Sequence, residues 1–217
     1  GKTTAPDVAK DYLESCAPNA VIFTFGDNDT YPLWYAQEVE NVRPDIRIIN
    51  TSLLGIDWYI NQLRSKVNEA DSVNVVWTPE QVECGNRARL YYQPDPAVSK
   101  ETYFPLLDAM QNVLGKEFID ERTGRNVGVE TFPTKRFSVA VDKDLVSKNG
   151  TVNATDSVVS EIAYEIGKNH LDRGDMIMLN IIASNNWKRP IYFTSPIGEL
   201  GFSGYLRKDG MSYRLVP

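Results

Sequence analysis

At 217 residues the chain is long enough to bury a sizeable core, as one large domain or two small ones. Its composition, 42% hydrophobic and 24% charged, is that of a globular protein, and a net charge of −6 with no run of Lys and Arg to offset it argues against a nucleic-acid partner. Cys16 and Cys84 are too few for a disulfide scaffold, and the longest strongly apolar stretch, residues 176–183, is far too short to span a bilayer.

Residues 5–15 are expected to form a helix, with Thr4 as cap and Pro6 in the first turn. Residues 20–25 are a short apolar run, as in a strand covered on both faces, so residues 21–25 are expected at the centre of a sheet. Gly26 permits a sharp turn, Asp29 or Thr30 can cap the helix that follows, and Pro32 fits its first turn. That helix is expected to turn Tyr35, Val39 and Val42 to one face and to end at Pro44. With a second strand at residues 46–50 this makes a βαβ unit, and Asp27, Asn28 and Asp29 lie where open α/β sheets bind ligands.

Ile56, Ile60, Leu63 and Val67 repeat at helical spacing. Residues 73–77 and 89–92 are expected to be strands. Residues 104–114 should be a helix with Leu106, Leu107, Met110 and Leu114 inward, and residues 120–128 an exposed loop. Phe137, Val139 and Val141 alternate with polar or small residues, as do Ile162, Tyr164 and Ile166, which predicts two half-buried strands with a loop at 142–157 between them. Residues 175–184 predict a helix covered on more than one side, and residues 190–194 a core strand. Lys208-Asp209-Gly210 predicts a hairpin turn.

Several motifs have bland readings that outweigh the functional ones. Gly1-Lys2-Thr3 lacks the glycine-rich loop and the strand of a phosphate-binding loop. Asp27-x-Asp29 with Glu38 imitates a calcium loop, but Pro32 stands where glycine is required. His170 is the only histidine and reads as part of a surface loop, which leaves a histidine triad or metal cluster little to work with. Asp27 and Asp29 remain candidates for a general acid/base pair or a loose divalent-ion site, against the alternative of one capping the helix and the other bonding turn amides. Asn185 and Asn186 can end a helix in a left-handed conformation, with Trp187 packed over the turn; this reading outweighs the functional one, a sugar or peptide platform of Trp187, Asn186 and Arg189.

Seven blocks carry a family resemblance. They are Leu13-Glu14-Ser15-Cys16-Ala17-Pro18-Asn19-Ala20, Gly26-Asp27-Asn28-Asp29-Thr30, Leu33-Trp34-Tyr35-Ala36-Gln37-Glu38-Val39 and Arg43-Pro44-Asp45, followed by Asp57-Trp58-Tyr59-Ile60, residues 185–193 and residues 213–217. From about residue 5 to residue 217 the chain resembles the soluble C-terminal region of the domain-of-unknown-function 2723 family, bacterial polytopic membrane proteins similar to GT-C protein O-mannosyltransferases. The resemblance implies a multi-helix membrane region before this segment, which holds the catalytic carboxylate and uses a lipid-linked sugar. It also implies a periplasmic or otherwise extracytoplasmic place for this part. Gly1 reads as a cloning remnant, in keeping with a piece excised from a longer protein.

The expected fold is a single soluble α/β domain over residues 1–217, with a central mixed sheet, a parallel βαβ start, antiparallel additions and helices on both faces. The expected function is that of an acceptor-engaging or structural domain of a membrane glycosyltransferase-like protein. Its expected partners are its own membrane region and a protein or glycan acceptor. No catalytic residue, resident metal or cofactor is expected. The alternative is a soluble hydrolase or transferase using Asp27 and Asp29, with a divalent ion. The expected binding cleft is built on Asp27, Asn28, Asp29 and Thr30, walled by Tyr31 and Trp34 and closed by Asn186, Trp187 and Arg189.

Overall fold

A computed structural model of the chain describes residues 4–114, 117–128 and 130–217. Gly1, Lys2 and Thr3, the imitation of a phosphate loop, lie outside the described residues. Helix α1 (Ala5–Glu14) leads into strand β1 (Val21–Thr24), helix α2 (Asp27–Glu38) and strand β2 (Arg47–Asn50). Helix α3 (Asp57–Leu63), the short α4 (Pro79–Val82) and strand β3 (Arg89–Tyr92) follow. Next come β4 (Phe104–Pro105), α5 (Leu106–Asn112), β5 (Glu117–Ile119), β6 (Asn126–Gly128), β7 (Thr131–Phe132) and β8 (Arg136–Ala140). The last third holds α6 (Lys143–Lys148), β9 (Glu161–Glu165), β10 (His170–Asp172), α7 (Arg173–Asn185), β11 (Ile191–Phe193), β12 (Leu206–Asp209) and β13 (Ser212–Leu215).

The central sheet has the strand order β12-β13-β11-β1-β2. β1 is parallel to both of its neighbours, β11 and β2, and β13 adds antiparallel to β11. The unbroken apolar run of β1 therefore does mark a central strand, covered on both faces. Alternation along the strands sorts the core. Ile22, Ile48 and Tyr192 pack with Ala9 and Leu13 of α1 and Leu33 and Ala36 of α2. Val21, Phe23, Ile49, Ile191 and Phe193 pack with α3, α5 and α7 on the opposite face. Two smaller three-stranded sheets, β10-β3-β7 and β4-β8-β9, and the hairpin β5-β6 complete the architecture of the described residues.

The capping chemistry is legible locally. Thr4 and Asp7 form a capping box at α1, and Asp172 and Asp175 form another at α7. Asn186 ends α7 at φ 44°, ψ 46°, the left-handed conformation that its sequence suggests. Helix α7 buries Met176, Ile177, Met178, Leu179, Ile181 and Ile182 together, so it is covered on more than one side.

Several expectations fail for physical reasons. Helix α2 begins at Asp27 with Gly26 as its cap, so Pro32 sits inside the helix. The carbonyl deprived of its helical donor belongs to Asn28, an exposed residue that water can reach. Its buried face is Thr30, Leu33 and Ala36, whereas Tyr35 and Val39 are 52% and 64% exposed, and it ends at Glu38 rather than at Pro44. Val67 and Leu107 likewise lie off the buried faces expected of them: α3 stops at Leu63, and Leu107 is exposed. Residues 73–77 bury Val73, Val75 and Trp77 as a strand would, yet they join no sheet. Side chains take the place of a neighbouring strand: Arg64 donates to the carbonyls of Val75 and Trp77, Ser184 donates to that of Asn74, and the Trp77 N–H donates to Asn180 Oδ1 at 3.0 Å. The expected loop at 142–157 contains α6, capped by Asp142, whose carboxylate accepts the Leu145 N–H at 3.0 Å. The expected loop at 120–128 is the far side of the β5-β6 hairpin, and His170 begins β10 rather than lying in a loop.

The two cysteines have opposite surroundings. Cys16 is buried, its thiol donates to the Tyr12 carbonyl at 3.3 Å, and burial pushes its pKa up to about 12. Cys84 is exposed. At about pH 8, iodoacetamide is expected to alkylate Cys84 and spare Cys16 until urea unfolds the chain. Mass spectrometry showing Cys16 labelled at the same rate in the folded chain would contradict this. Because the folded pKa of Cys16 lies above the ordinary 9.0, the stability gained by burying its neutral thiol is complete below that value and is lost as pH rises toward about 12.

Candidate functional site

The turn after β1 is built inward. Gly26, at φ 87°, closes the strand. The Asp29 carboxylate folds back, and its Oδ2 accepts the Phe25 N–H at 3.0 Å and the Thr194 hydroxyl. Thr30 is buried, donates to the Gly26 carbonyl at 2.7 Å and meets the Thr24 hydroxyl at 2.5 Å. Asp29 and Thr30 thus tie α2 to β1 and to the end of β11. Asp27 and Asn28 face solvent, and Asp27 has only a long contact, 3.5 Å, from the Asn50 amide. Replacing Asp29 by Ala is expected to cost about 1–3 kcal/mol by orphaning the Phe25 and Thr194 donors. A chemical-denaturation curve superposing on that of the parent chain would show that the carboxylate is not structural.

The open feature nearby lies along the outer edge of β2. α2 packs on one face of the central sheet and α3 on the other. β2 is the edge strand, so the two helices flank a groove with β2 at its floor. The groove measures about 370 Å³, at the small end of ligand sites. Trp34 and Gln37 line it from α2, Trp58 and Gln62 from α3, and Ile46, Arg47 and Ile48 from the strand and its approach. Trp58 is 62% exposed and lies edge-on to Tyr59 at 5.8 Å. Tyr31, 55% exposed, stands beside Trp34 with ring centroids 5.7 Å apart. Asn68 donates to Glu38 at 2.7 Å and bridges the loop after α3 to the end of α2.

Two buried groups hold this groove in shape. Arg47 has no carboxylate partner among the described residues; its guanidinium donates to the carbonyls of Ser65 (2.7 Å), Gln62 (3.2 Å) and Asp71 (3.3 Å). Those of Gln62 and Ser65 lie at the C-terminal end of α3, where orphan carbonyls and the helix dipole favour a cation. Burial lowers the pKa of Arg47 and raises that of Tyr59. Tyr59 accepts the Asn50 N–H at 2.9 Å, and as a neutral phenol it keeps its own proton to donate.

Asn186, Trp187 and Arg189 do not close a cleft over Asp27, Asn28, Asp29 and Thr30. They precede β11, whereas the aspartates follow β1, and the two strands run parallel in register from Val21 opposite Ile191. The two groups therefore lie at opposite ends of the sheet. Trp187 is 5% exposed and donates its indole N–H to the Ala140 carbonyl at 2.8 Å. Arg189 donates to the carbonyls of Asn19, Asp71 and Ser72. Both are structural ties. Of the expected site, Trp34 lines the groove and Tyr31 stands beside it. Trp58, Gln37, Glu38, Arg47 and Gln62 went unnoticed as site residues in the sequence. An aromatic residue following Asp57 at a helix start was the one available signal, and nothing local paired α3 with α2 across a strand.

Fold and groove together define a mixed α/β domain with an aromatic-lipped cleft on a free sheet edge. The chain belongs to the TMEM260-associated domain 2 family, whose model matches residues 5–217. It is thus a member of a family of domains associated with a membrane protein. The match agrees with the membrane-protein association that the sequence resemblance implied, under a different family description. No curated protein and no solved structure matches the chain. No helix among the described residues is long and apolar enough to cross a membrane.

Proposed function

We propose that this chain is the extracytoplasmic, acceptor-engaging domain of a polytopic, glycosyltransferase-like membrane protein, working beside its own membrane region and not performing transfer by itself. The observation that carries this reading is the groove along the β2 edge, where two tryptophans flank open polar groups. Such a cleft offers apolar walls and directional hydrogen bonds, the combination that holds an acceptor in one orientation. The match across the chain to a membrane-protein-associated family supports the placement beside a membrane region. The internal commitments of Asp29 weigh against an aspartate pair as the chemical centre.

The test is a Trp58→Ala variant of the full-length protein. Trp58 is mostly exposed, so its truncation is expected to leave the fold intact. Acceptor binding is expected to weaken about tenfold or more, as for an aromatic anchor. Unchanged acceptor affinity in a normally folded variant would remove this reading. Metal-dependent turnover by the isolated chain, lost in Asp27→Asn, would replace it with a catalytic one.

A further inference from the structure

Resting on that acceptor-engaging reading, we infer that the groove takes an extended, neutral-to-basic polypeptide segment, which pairs as an antiparallel strand with the one open peptide position of the β2 edge, at Ile48.

The parallel register decides which β2 groups point outward. Arg47 donates its N–H to Ala20 of the β1 side, and Arg47 is opposite Val21. In a parallel pair the bonding residues alternate, so Arg47 and Ile49 serve β1, while Ile46, Ile48 and Asn50 present their backbone groups to the free edge. Two of these outward positions are already occupied by side chains. Gln37 donates to the Ile46 carbonyl at 2.7 Å, and Tyr59 accepts the Asn50 N–H at 2.9 Å. The Ile48 N–H and C=O, between them, have no such partner among the described residues. A sheet edge protected at both ends and open at one residue is a site for one strand residue, not a general aggregation edge.

The chemistry of that opening selects a peptide. Ile48 presents a donor and an acceptor pointing the same way. One residue of an extended antiparallel chain presents a matching acceptor and donor, and so exchanges both bonds at once. The acetamido group of a sugar has its N–H and C=O in trans, pointing apart, and can satisfy only one of them. Alternation then sets the side chains of the docked strand. The residue opposite Ile48 points to the α2 face, where Ile48 itself packs, and so toward Trp34. Its two neighbours point to the α3 face and Trp58. Glu38 stands exposed at one end of the groove and Asp27 near the other, and the chain carries a net charge of −6, which favours a segment with neutral or basic flanks.

The test is amide hydrogen exchange of the 217-residue chain followed by NMR, with three probes. These are a capped hexapeptide alternating threonine and valine with a terminal lysine, the same peptide N-methylated at its central residues, and N-acetylglucosamine. In the free chain the Ile48 amide is expected to exchange much faster than those of Arg47 and Ile49. Saturation with the unmodified peptide should slow Ile48 by about tenfold or more, and the N-methylated peptide should not. Ile48→Pro removes the outward N–H and also some core packing, because the Ile48 side chain is buried; a variant that still folds should bind the peptide about tenfold more weakly. If that variant does not fold, the exchange rates decide alone. Protection of Ile48 in the free chain would overturn the proposal. So would peptide that shifts the indole signals without slowing Ile48, or N-acetylglucosamine slowing Ile48 where the peptide does not. Loss of acceptor binding in full-length Trp58→Ala with any of those results would leave the acceptor reading standing and remove strand pairing alone.

Discussion

Replacing Arg173 by Ala is expected to destabilise the chain by about 2–5 kcal/mol, because it breaks two charge-assisted hydrogen bonds to backbone carbonyls and empties the space that a buried side chain fills. Arg173 is 6% exposed at the start of α7. One guanidinium nitrogen donates to the Gly55 carbonyl at 3.1 Å and to Asp57 at 2.6 Å, and the other donates to the Asn86 carbonyl at 2.5 Å. A single side chain therefore pins the loop before α3, the first residue of α3 and the loop before β3 to the N-terminus of α7. The Asp57 side chain is 39% exposed, so its ion pair is partly screened and adds less than the carbonyl bonds. The order of effects follows. Arg173→Ala should be worst, Arg173→Met should recover some packing while still losing the carbonyl bonds, and Asp57→Asn should cost under about 1 kcal/mol. Urea midpoints at constant slope measure this. An Asp57→Asn loss equal to that of Arg173→Ala would assign the effect to the ion pair instead.

Gly201→Ala is expected to be comparably damaging, at about 2–6 kcal/mol from backbone strain and overpacking together. Gly201 has φ 88°, and a Cβ built there would lie 2.2 Å from the Glu165 carbonyl oxygen and 2.8 Å from its carbon. Both are backbone atoms at the end of β9, so no side-chain rotation can relieve the overlap. This close approach delivers the next residue, fully buried Phe202, onto Tyr164 with ring centroids 4.3 Å apart. Moving the backbone away would open that contact. At about 2–4 °C per kcal/mol for a chain of this size, the melting temperature should fall by about 10 °C. A change of less than a few degrees would show that the segment after β11 can shift without cost. Gly198, with open space around its Cβ position, is the control expected to tolerate Ala.

The candidate site moved between sequence and structure for one reason. The chemistry at residues 27–30 is dense, and density alone does not distinguish a ligand site from a turn that satisfies itself. Asp29 could be seen to accept hydrogen bonds, but that its partners are Phe25 and Thr194, the latter far away in sequence, follows only from β11 lying beside β1. Residues 186–189 end α7 with Trp187 over the turn, as their sequence suggests, but stand at the opposite end of the sheet from Asp27. Their distance from Asp27 depends on strand direction, which residue patterns within a segment do not encode.

What the sequence determined is what local periodicity and capping determine. The parallel β1–α2–β2 unit, the central place of β1, the many-sided burial of α7, the alternating pair β8 and β9 and the left-handed end at Asn186 all follow from neighbours within a few residues. Tertiary structure alone decided the rest. Residues 73–77 have a strand's pattern but met side chains from α3 and α7 where a strand would have been needed. β2 became an edge because the later strands β11 and β13 added on the other side of β1. The groove exists because α2 and α3 settled on opposite faces of that edge, a long-range consequence of which side of the sheet each helix buries.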